Sequence, residues 1–376
     1  MKTLIAAAFA ALAFAPPVHA ASTFAADIAL CEDKDPAKAE QRIAACIAVI
    51  EWGVLADDSL SPVYVALGSA QFDAEVYDRA IASFTEAIRL APNNWEPYFS
   101  RGYTYANIDD CPHAIDDLDR VIAMGGNTAT ARYVRGVCHA NLDQDDLAIA
   151  DLDAAIRLDP TFAQAFIIRA SLYAEHGDAA RALAYFDEGI RLDPANPQSF
   201  AGRGSLHYGQ GNFASARADF DEALRLDPNN IMALTGRSLV RDQTGDLEGA
   251  IDDVSKALTL APENSGLLNN RCYARAQLGQ LDLALIDCEA SIKLESNAAN
   301  LDSRAFVWLK RSEWEKARVD FDAALELEAG QSSALYGRGL AHLRLGHTAE
   351  GNTDIAAANT ADPKIASFYE KNGMTP

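Results

Sequence analysis

The sequence contains no Cys-x-x-Cys, no His-Glu-x-x-His, no Gly-x-Ser-x-Gly, no phosphate-binding loop and no dinucleotide fingerprint. The local arrangements for redox exchange, zinc hydrolysis, acyl transfer and nucleotide binding are therefore missing. No catalytic residue, cofactor or metal is expected, and the reading is of a protein that is not an enzyme. Basic residues are scarce: 32 Lys and Arg stand against 54 Asp and Glu, for a formal charge of −22. That balance argues against a partner nucleic acid or an anionic membrane, because both need clustered Lys and Arg. It suits solubility, or a partner with basic flanks. Beyond the N-terminus no apolar run approaches the length of a membrane span, so no membrane insertion is expected. His113, His139, His176, His207, His342 and His347 are scattered, without ligand spacing. Neighbouring acids such as Asp116 and Asp117 point to different sides of a helix and match no calcium loop.

What is present starts with an address. Residues 1–20 combine Lys2, an apolar run from Leu4 to Ala15 and a Val18-His19-Ala20 cleavage site. This is the pattern of a secretory signal peptide cut after Ala20. The first cysteine, Cys31, follows Leu30 and does not fit a lipoprotein site. A periplasmic or secreted location is the expectation.

A 34-residue period fills most of the remainder. Leu158-Asp159-Pro160, Leu192-Asp193-Pro194 and Leu226-Asp227-Pro228 lie in phase with Leu90-Ala91-Pro92 and Leu260-Ala261-Pro262. Paired small residues twelve apart recur as Gly68/Ala80, Gly102/Ala114, Gly136/Ala148 and onward to Gly339/Gly351. Four residues later stands a large apolar residue or a Cys: Phe84, Leu118, Leu152, Phe186, Phe220, Val254, Cys288, Phe321 and Ile355. Apolar spacing within each unit is helical, Gly177, Gly211, Gly245, Gly279 and Gly346 mark an internal turn, and a Pro stops the second helix. Each unit is thus a helical hairpin.

These marks resemble the tetratricopeptide repeat family, in nine tandem copies over residues 61–364. The sequence departs from the family pattern at the usual first-helix Trp, which is absent, and at a Leu slot filled by Arg. The resemblance implies an all-α fold: an α-solenoid of about nine hairpins forming a right-handed superhelix with a concave groove. It also implies a protein-interaction scaffold.

The Arg slot holds Arg101, Arg135, Arg169, Arg203, Arg237, Arg271, Arg304 and Arg338. Sixteen residues on stand Asp117, Asp151, Tyr185, Asp219, Asp253, Asp287, Asp320 and Asp354. Positions equidistant from a hairpin turn face each other, so a ladder of Arg–Asp pairs inside hairpins is expected.

Six cysteines in an exported chain point to disulfides. Cys272 and Cys288 lie on opposite arms of one hairpin. Cys111 and Cys138 lie on neighbouring antiparallel helices. Cys31 and Cys46 would close a short loop ahead of the array. Residues 21–60 read as a disulfide-pinned N-terminal helical cap, with a helix starting near Asp35-Pro36. Residues 365–376 read as a C-terminal capping helix and tail, with Ile365, Phe368 and Tyr369 on one face.

First helices line the concave face in the family. The inward slots carry Phe99, Tyr103, Tyr133, Ile167, Tyr273, Phe306 and Tyr336, with Tyr208 beside them, and these are the candidate partner-binding residues. Packing against neighbouring helices is the competing role. The main reading is a scaffold that binds a protein or peptide segment in the groove. The alternative is an assembly subunit of a cell-envelope complex that makes contact through its ends.

Overall fold

The computed structural model describes the backbone of residues 18–376 and side chains from Thr23 onward. The leader assigned to residues 1–20 lies almost wholly outside the described residues. Among the described residues every regular element is helical. They divide into two units, the first ending at Leu192 and the second running from Asp193 to Pro376.

In the first unit α1 (Val18–Cys31) and α2 (Ala39–Glu51) form a pair ahead of the repeats. A single 3-10 turn, Pro36–Lys38, precedes α2, and the Asp35 side chain caps it at Ala37. The sequence pointed to α2 but not to α1, whose start falls inside the residues assigned to the leader. The hairpins follow: α3 (Asp57–Asp73) with α4 (Tyr77–Leu90), α5 (Trp95–Asn107) with α6 (Cys111–Ala123), α7 (Ala129–Asn141) with α8 (Asp145–Leu158), and α9 (Ala163–Glu175) with α10 (Ala179–Leu192). The second unit continues with α11 (Pro197–Gly209) and α12 (Phe213–Leu226), α13 (Ile231–Thr244) and α14 (Leu247–Leu260), α15 (Ser265–Gln277) and α16 (Leu281–Leu294), α17 (Ala298–Lys310) and α18 (Trp314–Leu327), and α19 (Ser332–Leu345) and α20 (Thr348–Ala361). It ends in the short α21 (Ile365–Lys371). The array is an α-solenoid of tandem hairpins.

The small-residue pairs explain how closely the arms approach. A Cβ added at Gly136 would sit 3.3 Å from the Ala148 carbonyl oxygen, and one at Gly339 would sit 2.9 Å from that of Gly351. The large slot fills the space below: Phe84, Leu118, Leu152, Phe186, Phe220, Val254, Cys288 and Phe321 are all buried. Each first helix is held at its start by a cap where the residue allows one. Asn94, Asn196, Asn230, Asn264 and Asn297 accept a backbone N–H two or three residues on, as does Thr128. The Asp of each Leu-Asp-Pro closes the link between hairpins. Asp159, Asp193 and Asp227 accept from the N–H of Thr161, Ala195 and Asn229.

The Arg–Asp ladder is present. Nε and Nη2 of Arg101, Arg135, Arg203, Arg237, Arg271, Arg304 and Arg338 grip both oxygens of the facing Asp at 2.6–2.9 Å. All seven carboxylates are buried. Where Tyr185 replaces Asp, Arg169 lies 4.3 Å over its ring. Several of these arginines also reach sixteen residues back, into the preceding hairpin. Arg169 meets Asp153 at 2.6 Å, Arg237 meets Asp221 at 2.7 Å, Arg338 meets Asp322 at 2.9 Å, and Arg135 meets Asp119. Burial alone would raise Asp151, but hydrogen bonds from Arg135 and Arg132 outweigh it and hold the carboxyl below its usual range.

Cys31–Cys46 and Cys272–Cys288 are bonded. The third expected staple is not formed. Cys111 and Cys138 meet in one buried cluster with Ala114, yet both stand as thiols. Burial, and then the hydrogen bond between the two, push the Cys138 thiol well above its ordinary range.

Candidate functional site

In the first unit aromatic side chains along and between the first helices meet at tilted and edge-on angles. Phe72, at the end of α3, lies 5.6 Å from Tyr103 and 5.4 Å from Tyr77. Tyr103 continues to Phe99 at 6.2 Å, and Phe99 to Trp95 at 6.4 Å. The next first helix adds Tyr133, which stands near Tyr103 and 5.0 Å from Phe162. Tyr103 is 42% exposed, while Phe99, Trp95 and Tyr133 are half-buried. Burial pushes the Tyr133 phenol up, away from its ionised form. Trp95, Phe99 and Tyr133 rest on the hairpin cores with one side, and Tyr103 offers its ring and hydroxyl to the surface.

Ile167 belongs elsewhere. It is buried, and its Cγ1 is where a Cβ on Gly189 would collide, at 2.9 Å. It packs inside the hairpin because Gly189 leaves a hole opposite it. Beyond Ile167 the first unit carries an Arg–Tyr stack. Tyr173 and Tyr185 lie 5.5 Å apart, with Arg181 over Tyr173 at 4.2 Å.

The second unit differs. Tyr208 is half-buried against Phe213 at 5.7 Å. Tyr273, Phe306 and Tyr336 are not a free surface, contrary to the expectation from their slots. The C-terminal helix α21 lies across them. Phe368 stacks 6.0 Å from Tyr273 and 5.7 Å from Phe306. Tyr369 sits 5.9 Å from Phe306 and 4.8 Å from Tyr336, and its hydroxyl donates to the Ser333 carbonyl at 2.8 Å. Phe306 is left 2% exposed and Tyr336 1%. A sequence period cannot show which slots a tail outside the period will cover.

Two acids sit among these rings. Burial raises Asp242, against a hydrogen bond from Gln277 at 2.6 Å. Burial raises Asp302 to about 7; its Oδ2 accepts from Ser333 Oγ at 3.0 Å and its buried Oδ1 has no partner. Sequence reasoning overlooked Phe72, Trp95 and Phe162, which lie outside the two inward slots but at their ends. It also overlooked the slot four after each ladder Arg. There Arg241 reaches Asp253 at 2.9 Å, Arg275 reaches Asp287 at 2.6 Å and Trp308 Nε1 reaches Asp320 at 3.1 Å. The 34-residue recurrence of polar or aromatic residues there was the available signal.

Two family models, both described as tetratricopeptide repeat, match the chain. One covers residues 61–94 and the other residues 101–161, 146–197 and 201–265, together just over half the chain. No curated protein matches the sequence. Among solved structures, a chain of the APC/C hetero-tetramer Cut9–Hcn1 is similar over 74% of this chain and 55% of its own length, at 17% identity and TM-score 0.59. A monomeric mutant of IFIT1 with m7Gppp-AAAA is similar over 80% of this chain and 71% of that one, at 14% identity and TM-score 0.51. PilW, a widely conserved type IV pilus biogenesis factor, matches over 55% of this chain and 96% of its own, at 16% identity and TM-score 0.50. At such identities the likeness is one of fold. No described helix is long and apolar enough to cross a membrane.

Proposed function

The chain belongs to the tetratricopeptide repeat family, and from that premise we propose that it is a non-enzymatic, exported scaffold that binds a protein or peptide segment across its first helices. The observation that carries this is the contiguous strip of Phe72, Tyr103, Phe99, Trp95 and Tyr133 in the first unit, half-buried but for the exposed Tyr103. Aromatic rings that rest on the core with one side and reach the surface with the other are the chemistry of protein recognition. The acidic surface favours ligand segments with basic flanks. Export is supported by the leader-like residues 1–20 and by two bonded cysteine pairs.

The test places a photo-crosslinking residue at Tyr103, the most accessible ring, and identifies adducts formed in cells. A dominant protein adduct, absent from a crosslinker at exposed Val319 and lost with Tyr133→Ala, is the expected result. A second reading, an assembly subunit that makes contact through its ends, draws on the cover that α21 places over Phe306 and Tyr336. Adducts from residue Lys371 but none from Tyr103 would favour it.

A further inference from the structure

The tail of the second unit is attached as a ligand is. Its seven-residue helix presents an adjacent aromatic pair, Phe368 and Tyr369, to rings on three successive first helices. Beyond it the chain is held by few polar contacts. Lys310 Nζ donates to Asn372 Oδ1 at 3.3 Å and Arg344 Nη2 to the Thr375 carbonyl at 2.8 Å. Gly373, Met374 and Thr375 then line a cavity with Trp314, Leu340 and Arg344. The fit is incomplete. Asp302 is buried beneath the pair with Oδ1 unpartnered, and nothing in the tail donates to it. Tyr273 and Tyr369 flank that carboxyl, Ser333 donates to its other oxygen, and the charged group whose field reaches it is Glu328, of like sign. A buried acceptor left orphaned penalises whatever ligand leaves it so.

We propose that the faces of α15, α17 and α19 form a docking site for a short amphipathic helix bearing two adjacent aromatic residues, that residues 365–376 are its resident occupant, and that a partner helix with the same pair and a hydrogen-bond donor for Asp302 displaces them. The class of partner is thus an aromatic-pair helix with a Lys, Arg or Asn beside the pair. This goes beyond the scaffold role argued above, because it concerns the second unit and stands even if the aromatic strip of the first unit binds nothing.

Met374 reports on the tail. It packs against the same cluster as Trp314, whereas Met124 and Met232 are exposed and serve as references. In the full chain labelled at methionine methyls, its resonance should be displaced by nearby rings. Phe368→Ala with Tyr369→Ala should move it to the free position. That variant should bind an added peptide of residues 363–376 at least about tenfold more tightly than the parent chain, whose own tail competes. The same peptide carrying both alanines should not bind. No binding by a variant whose helicity and melting are unchanged would overturn the proposal, and so would equal binding by the parent. If the variant does not fold, hydrogen exchange on the parent decides. Amides of residues 365–374 that open at least about tenfold faster than those of α20 support a displaceable occupant, and equal rates overturn it.

Discussion

At the residue scale the ladder carboxylates carry the most risk. Asp253 is buried and held by Nε and Nη2 of Arg237 and by Nη1 of Arg241. Removing Arg237 leaves that buried carboxylate with Arg241 alone, so Arg237→Ala should destabilise by about 1.5–3 kcal/mol in denaturant unfolding. A swapped pair, Arg271→Asp with Asp287→Arg, should recover part of the loss that either single change causes. A double variant no better than the worse single one would mean that the pairs do not act as pairs. Asp302 gives a pH signature of opposite sign to that of Asp151. An unfolded Asp titrates near 3.9, whereas burial holds Asp302 at about 7 in the fold. Its contribution is therefore fully present below the unfolded value and is lost as pH rises to the folded one. Thermal unfolding should show stability falling between about pH 4 and pH 7 from this site. Asp302→Asn should flatten that slope and raise the midpoint at pH 8 by a few degrees.

At the element scale the hairpin turn repeats more faithfully than its residue. Gly177, Gly211, Gly245, Gly279 and Gly346 hold φ between 74° and 87°. The same turn position in the other hairpins is filled by Glu75, Asp109, Asp143 and Ser312, at φ between 55° and 61°. A residue with a Cβ is disfavoured in that region by roughly 1–2 kcal/mol, least for Asp. Glu75→Gly and Ser312→Gly should each stabilise the chain by about 1 kcal/mol, read as a raised denaturant midpoint with unchanged slope. Hairpin geometry thus imposes the left-handed turn even where the local sequence does not prefer it, because the paired small residues, joined from the second hairpin on by the ladder, fix both arms.

At the scale of the whole molecule, the cysteines test the covalent frame. Cys31–Cys46 joins α1 to α2, Cys272–Cys288 ties the two arms of one hairpin, and Cys111 with Cys138 remains reduced. The chain alkylated under denaturing, non-reducing conditions should therefore take up two equivalents, mapped to Cys111 and Cys138. No uptake would mean that the buried pair closes as a third bond. Within each unit the repeat makes stability a sum of hairpins and their neighbours, so losses from ladder substitutions in distant hairpins should add.

The sequence by itself determined the helical hairpins, their period, the facing Arg and Asp, and the meeting of Cys272 with Cys288. Each depends on spacing within a period, and a helix converts spacing directly into facing. The helix α1 was hidden because its first residues, Val18 to Ala20, also read as the end of a leader and the rest lies outside the repeat period. Only the tertiary structure decided which inward aromatics stay open. Tyr103 stays exposed and Tyr133 half-buried beside Phe162, whereas Phe306 and Tyr336 disappear under Phe368 and Tyr369. That outcome depends on where a non-repeating tail comes to rest, and the burial of Asp302 follows from the same contact. A residue's slot fixes the direction it faces, but what lies in that direction is set by chain far away in sequence.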